Sequence, residues 1–281
     1  MSMVMQDYPK RIVIELTPEC NLSCRVCPRQ YIKQKQGYIL KSLWVKLIDE
    51  IAEHSPDSIV IPFWRGESFL HPDFCDLLGL ALKRSLRIHI STNGVLIDDE
   101  KFRLLAKCEF VTFSIHTISG YNNAKKFQNF RNSKHPIIQV SFVEGERSMK
   151  NIYSAIIGSP DLKGFDSVRV YARHSKDGIF GSLDKNTRTK RSFCPKLEDT
   201  LVIAYDGTIS RCNHIWETEK RVNVREMSIR RAWCSNYLKQ IRQDYPDSKC
   251  KPCGQWTGHT FGHSWQNESG NIKHKYYDWE N

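Results

Sequence analysis

Apolar residues recur in two alternating rhythms as far as residue 172. Short unbroken runs read as buried strands: "RIVIEL" (11–16), "SIVIPF" (58–63), "RIHIS" (87–91), "FVTFSI" (110–115), "PIIQVSFV" (136–143) and "SVRVYA" (167–172). Between them the pattern turns helical. "KSLWVKLIDEIAEH" (41–54) puts Leu43, Trp44, Leu47, Ile48, Ile51 and Ala52 on one face. "PDFCDLLGLALKRS" (72–85), a segment opened by Asp98 and another from about 149 to 157 predict further helices. Strands alternating with helices in this way predict an α/β fold with a parallel sheet, open or barrel-like.

The rhythm stops at "HSKDGIFGSLDKNTRTKRS" (174–192), a polar linker between a first unit, 1–173, and a second, 193–281. In the second, "TLVIAYDGTISRC" (200–212) predicts a β-hairpin around Asp206-Gly207. "MSIRRAWCSNYLKQIRQ" (227–243) predicts one helix with Ile229, Trp233, Tyr237 and Ile241 along a single face. A hairpin and one helix bury little, and units of that size usually need a metal. The tail after Cys253 is rich in Trp, His and Tyr and takes no assignment.

Composition narrows the class. The 281 residues are 40% hydrophobic and 26% charged, as in soluble globular proteins, and no stretch is long and apolar enough for a membrane span. The start, "MSMVMQDYPKR", has no signal-peptide run, so the expected location is cytoplasmic. A net charge of +11 favours anionic partners; the basic stretch 163–196 reads as a solvated linker, and no nucleic acid is expected. In a reducing compartment, ten cysteines point to metal or redox chemistry rather than disulfides. Cys75, Cys108 and Cys234 sit alone in regular elements and read as buried small hydrophobes.

The other seven fall into two groups. "CNLSCRVC" (20–27) places Cys20, Cys24 and Cys27 on a loop directly after the first strand, where α/β barrels collect their active sites. Three thiolates leave one iron of a cubane open, the mark of a catalytic metal. The alternatives are zinc completed by a distant His, or no metal. In the second group Cys194 and Cys212 bracket the hairpin and Cys250 and Cys253 form "CKPC". Four converging thiolates would suit either a structural zinc or an iron–sulfur cluster.

Strand, CxxxCxxC loop and alternating elements together resemble the radical S-adenosylmethionine (SAM) superfamily. "WRGESFLHP" (64–72) is similar to that family's Gly-Gly-Glu element, and "ISTNG" (90–94) and "FSIHT" (113–117) close the next two strands as its motifs do. Val26 stands where the family usually has an aromatic residue, and Arg65 where it has its first Gly. The resemblance implies a partial TIM-like (β/α)6 barrel over 1–173, with Cys20, Cys24 and Cys27 on a [4Fe-4S] cluster. It implies SAM as the missing ligand of the open iron, contacted by Val26, Gly66, Glu67, Ser91, Asn93 and Ser114. Reductive cleavage of SAM would then give a 5′-deoxyadenosyl radical that abstracts a substrate hydrogen. Cys194, twelve residues, Gly207, four residues, Cys212 resembles the opening of a SPASM domain. With no cysteine after Cys253, the shortened "twitch" form is implied, its four cysteines holding one auxiliary [4Fe-4S] cluster.

Twitch-type dehydrogenases make a polyol or sugar carbon the first expectation, a small anionic or sugar-like substrate, with a flavodoxin- or ferredoxin-type electron donor. Candidate bases are His89, His116, Arg169, Tyr171 and Arg173. Peptide maturation is the alternative; only ten residues precede the first strand, which counts against a leader-binding domain. Epimerisation would need a thiol hydrogen donor such as Cys75, Cys108 or Cys234. A zinc- or cluster-stabilised nucleic-acid-binding protein is the non-enzyme reading; it would show strong salt dependence.

Overall fold

The computed structural model describes residues 7–131, 136–143, 164–171, 194–251, 253, 264–268 and 271–275. Six parallel strands form its centre: β1 Arg11–Ile14, β2 Ile59–Ile61, β3 Arg87–Thr92, β4 Phe110–Ser114, β5 Ile137–Val143 and β6 Ser167–Tyr171, paired in sequence order. Ile12, Val13 and Ile14 are all buried, so β1 is covered on both faces. That is why parallel strands read as unbroken apolar runs rather than alternating ones.

Helices α1 Lys41–His54, α2 Phe74–Lys83, α3 Asp99–Leu105 and α4 Ile118–Phe127 cover one side. Helix α1 buries Leu43, Trp44, Leu47, Ile48 and Ile51, and the Trp44 indole N–H donates to the Leu77 carbonyl of α2 at 2.8 Å. Asp98 caps α3 by accepting from Lys101 N at 2.9 Å. Helix α4 was absent from the sequence pattern, because "ISGYNNAKKF" carries one Gly and two Asn among few apolar residues. Thr117 caps it, accepting from Gly120 N at 3.0 Å, and Tyr121, Ala124 and Phe127 turn inward. Any Cβ on Gly120 would lie 2.3 Å from the Asn93 carbonyl oxygen, so α4 needs glycine where it braces the loop after β3.

Beyond the expected linker the sheet continues. Strand β7, Thr200–Ile203, pairs parallel with β1, and β8 Thr208–Ser210 and β9 Glu219–Asn223 follow antiparallel. The predicted hairpin is therefore β7–β8, with Gly207 at φ +84° in its turn, and it lies on the barrel's own edge. A short helix, α5 Pro195–Asp199, leads into it.

The single helix expected over 227–243 is two: α6 Ile229–Trp233 and α7 Asn236–Gln243. Ser235 restarts the chain by accepting from Leu238 N at 3.4 Å, an N-cap inside what periodicity read as continuous. Ile229, Trp233, Leu238 and Ile241 are buried, while Tyr237 is only half-buried. The helix expected near 149–157 and the linker 174–192 lie outside the described residues. From the tail, β10 Ser264–Glu268 and β11 Asn271–Lys275 form an antiparallel pair on the β6 edge. No helix among the described residues is long and apolar enough to cross a membrane.

Candidate active site

The C-terminal ends of the parallel strands meet on one side. After β1 the chain turns through Thr17 into the cysteine loop, which backbone and side-chain bonds hold in shape. Cys27 N donates to the Cys24 carbonyl at 3.0 Å, and Gln30 Nε2 donates to the carbonyls of Ser23 and Cys24 at 2.6 and 2.7 Å. Cys20, Cys24, Val26 and Cys27 are half-buried. After β2 the chain passes directly over residues 17–19. A Cβ at Gly66 would fall 2.3 Å from the carbonyl oxygens of both Thr17 and Glu19, so the element tolerates only glycine there.

Glu67, next in line, is buried, and both its oxygens are engaged. Oε1 accepts from Thr92 Oγ1 at 2.9 Å and Phe69 N at 3.3 Å; Oε2 accepts from Asn93 N at 2.7 Å. Asn93 Nδ2 reaches on to Asn21 Oδ1 at 2.8 Å and lies 3.9 Å from Cys20 Sγ. One knot thus joins the ends of β2 and β3 to the cysteine loop.

Burial pushes Glu67 up to about 6, against the downward pull of the hydrogen bonds from Asn93, Thr92 and Phe69. A carboxyl raised above its ordinary 4.5 adds stability that is full below that pH and is lost as pH rises through about 6. Glu67→Gln should abolish that pH dependence of the Tm. It should also cost about 1–3 kcal/mol, because an amide offers one acceptor oxygen where three donors wait. Melting curves of both proteins across the window check it; parallel curves would refute it.

Arg65, where the resemblance expects glycine, answers a charge on β1's continuation. Its Nε and Nη2 bind the two oxygens of Glu15 at 2.7 and 2.5 Å; Glu15 is 0% exposed and the Arg65 side chain 8%. The remaining Nη1 donates to the Trp216 carbonyl at 3.1 Å, and the guanidinium lies 4.1 Å above the Trp64 ring. Trp64 Nε1 in turn donates to the Asn213 carbonyl at 2.9 Å. Two adjacent residues of the β2 loop therefore clasp the segment that follows Cys212.

Inside the strands is a cavity of about 550 Å³ lined by, among others, His89, Ser91, Ser114, Arg169, Lys196 and His214. Cys194, Cys212, Cys250 and Cys253 surround a second, small pocket, also lined by Lys196 and His214. Arg211 donates to Cys250 Sγ at 3.5 Å and pairs with Asp247 at 2.6 Å, and Asp247 accepts from Cys250 N at 3.0 Å. Burial pushes Cys212 up to about 11 and Cys250 up to about 12.

Two family models match these two regions: the radical SAM superfamily over residues 14–152 and the SPASM iron–sulfur cluster-binding domain over 194–254. The chain belongs to the radical SAM superfamily. It is similar to the tungsten-containing aldehyde ferredoxin oxidoreductase cofactor-modifying protein of Pyrococcus furiosus, 24% identical with 87% of each chain covered. Among solved structures, BtrN in complex with AdoMet and 2-DOIA shares the fold at TM-score 0.61 and 14% identity, covering 97% of this chain and 100% of that one. Streptococcus suis SuiB bound to precursor peptide SuiA does so at 0.64 and 15%, covering 89% of this chain and 70% of that one.

The cofactors of this radical SAM protein are SAM and two [4Fe-4S] clusters, and the residues fit them. Four cysteines ring one pocket with a guanidinium at a sulfur, as thiolate ligands need. Among the described residues no three His, Cys, Asp or Glu side chains close round a single ion.

Ser91, Ser114, His89 and Arg169 line the radical SAM cavity, whereas Gly66, Glu67 and Asn93 form the knot beside it. His116 is hydrogen-bonded to Ser114 Oγ at 3.1 Å and is not among the lining residues. Tyr171 ends β6, and Arg173 lies outside the described residues. Sequence reading missed Glu15, Trp64, Lys196, Asn213 and His214. Only the last three carried a signal, their nearness to Cys194 and Cys212.

Proposed function

We propose that this protein is a radical SAM oxidoreductase that dehydrogenates a small hydroxylated substrate. A cluster held by Cys20, Cys24 and Cys27 with SAM would supply a 5′-deoxyadenosyl radical, and a second held by Cys194, Cys212, Cys250 and Cys253 would supply the electron sink. One observation carries the reading: the barrel cavity and the auxiliary cysteine pocket share Lys196 and His214 as wall. A substrate in the cavity therefore lies one side chain from the cysteine ring. Hydrogen abstraction from an H–C–OH carbon leaves a carbon radical, and loss of one proton and one electron makes the carbonyl. His89 lines the cavity, and burial holds its pKa below the ordinary value, which favours the neutral imidazole that taking that proton requires. Glu109, 3.1 Å from its Nε2, steadies the ring.

No cysteine lines the cavity among the described residues; Cys108 is 2% exposed, with its thiol donating to the Leu104 carbonyl. This supports oxidation over epimerisation, which needs a hydrogen donor. The fold shared with SuiB, whose structure holds a precursor peptide, favours a second reading in which the oxidised carbon belongs to a peptide side chain.

The test is Cys250→Ala. Production of 5′-deoxyadenosine from SAM and dithionite should continue while oxidised product falls to background. Product formed at the wild-type rate would refute the electron-accepting role. A screen of polyols, sugars and short peptides for deuterium transfer into 5′-deoxyadenosine separates the two substrate readings.

A further inference from the structure

The cavity wall carries more information than its proximity to the cysteines. Among the described residues that line it, Arg169 from β6 and Lys196 from α5 are cationic and none is Asp or Glu. A low-dielectric wall charged with one sign selects ligands of the other. Asn213 lines the same space. The position is fixed rather than loose, because the Asn213 carbonyl is held by Trp64 and Trp64 is covered by the Arg65 guanidinium bound to Glu15.

We propose that the substrate is a small hydroxylated anion, its carboxylate or phosphate taken by Lys196 and Arg169 and its hydroxylated part lying along the wall that Asn213 lines. The inference rests on the small-molecule reading above and names its substrate class. Lys196, two residues after Cys194, holds the charged end on the same wall.

The test is calorimetric titration of the reconstituted holoenzyme, saturated with SAM, with glycerol 3-phosphate, glycerate and glycerol. One of the two anions should bind with a Kd of about 1 mM or tighter, and glycerol at least about tenfold more weakly, a difference near 1.4 kcal/mol. The preferred anion identifies phosphate or carboxylate as the group recognised. Lys196→Met and Arg169→Met should each weaken the anion about tenfold or more, with Lys196→Gln as a second variant at equal iron content. Asn213→Ala should weaken glycerol 3-phosphate while leaving inorganic phosphate unchanged. Equal binding of glycerol and the anions, anion binding untouched by the lysine and arginine variants, or no binding by any probe would each overturn the proposal. Binding is read without turnover, so a failed electron-acceptor role in Cys250→Ala leaves this result standing, and the converse also holds.

Discussion

With Cys24 changed to alanine, SAM-dependent formation of 5′-deoxyadenosine is expected to fall to background, a loss of at least about 1,000-fold, or about 4 kcal/mol of barrier. The loop itself should survive. What fixes residue 24 is its carbonyl, which accepts from Cys27 N and Gln30 Nε2, and alanine keeps that carbonyl. The loss would therefore be chemical, the removal of one of three thiolates from a loop with no fourth cysteine. Iron and sulfide analysis after anaerobic reconstitution should fall from about eight of each per chain to about four. The remaining cluster would be the one proposed at Cys194, Cys212, Cys250 and Cys253. Undiminished 5′-deoxyadenosine in the variant would overturn the assignment of the first site.

Arg65→Gly restores the residue that the family resemblance leads one to expect, and it should nevertheless be the more damaging change to the fold. Glu15 has no exposed surface, and the bidentate guanidinium is its counter-charge. Removing one partner of such a pair typically costs about 3–5 kcal/mol because the other charge stays buried. For a chain of this size that lowers Tm by roughly 10 °C. Glu15→Gln combined with Arg65→Met should recover much of the loss, since two neutral groups of similar volume are often as stable as the pair. Thermal melts of Glu15→Gln, Arg65→Met and the double complete the cycle. Additive losses would show that the two side chains do not act together. The glycine at this position is thus dispensable here, whereas Gly66, pressed against the Thr17 and Glu19 carbonyls, is not.

What the sequence revealed follows from how local each signal was. The strands were legible because each of β1 to β5 keeps a buried apolar face: β1 is covered on both sides and reads as a continuous run, while β3 and β4 alternate, their other residues lining the cavity. The cysteines were legible because spacing within one loop or one turn is itself the motif. Helix α4 was not, since its stability comes from a threonine cap and three buried side chains rather than from a strong apolar stripe. The break at Ser235 was hidden for the opposite reason: periodicity ran straight through a hydroxyl that competes for the backbone. Glu15 and Arg65 are ordinary charged residues in the sequence, fifty positions apart, and only folding makes them a pair. Lys196, Asn213 and His214 stood beside ligands and were overlooked because the ligands explained the neighbourhood.

The pairing of β1 with β7 has a consequence for how the protein is made. Residues 11–14 leave the ribosome well before their partners at 200–203, at about 5–20 residues per second a delay on the order of ten seconds or more. Until then β1 has one open edge, and the cysteine loop that hangs from it is anchored on one side alone. Loading of the first cluster should therefore trail synthesis of the second unit, and a nascent chain stalled before β7 should be the form most prone to aggregate and the least able to accept iron.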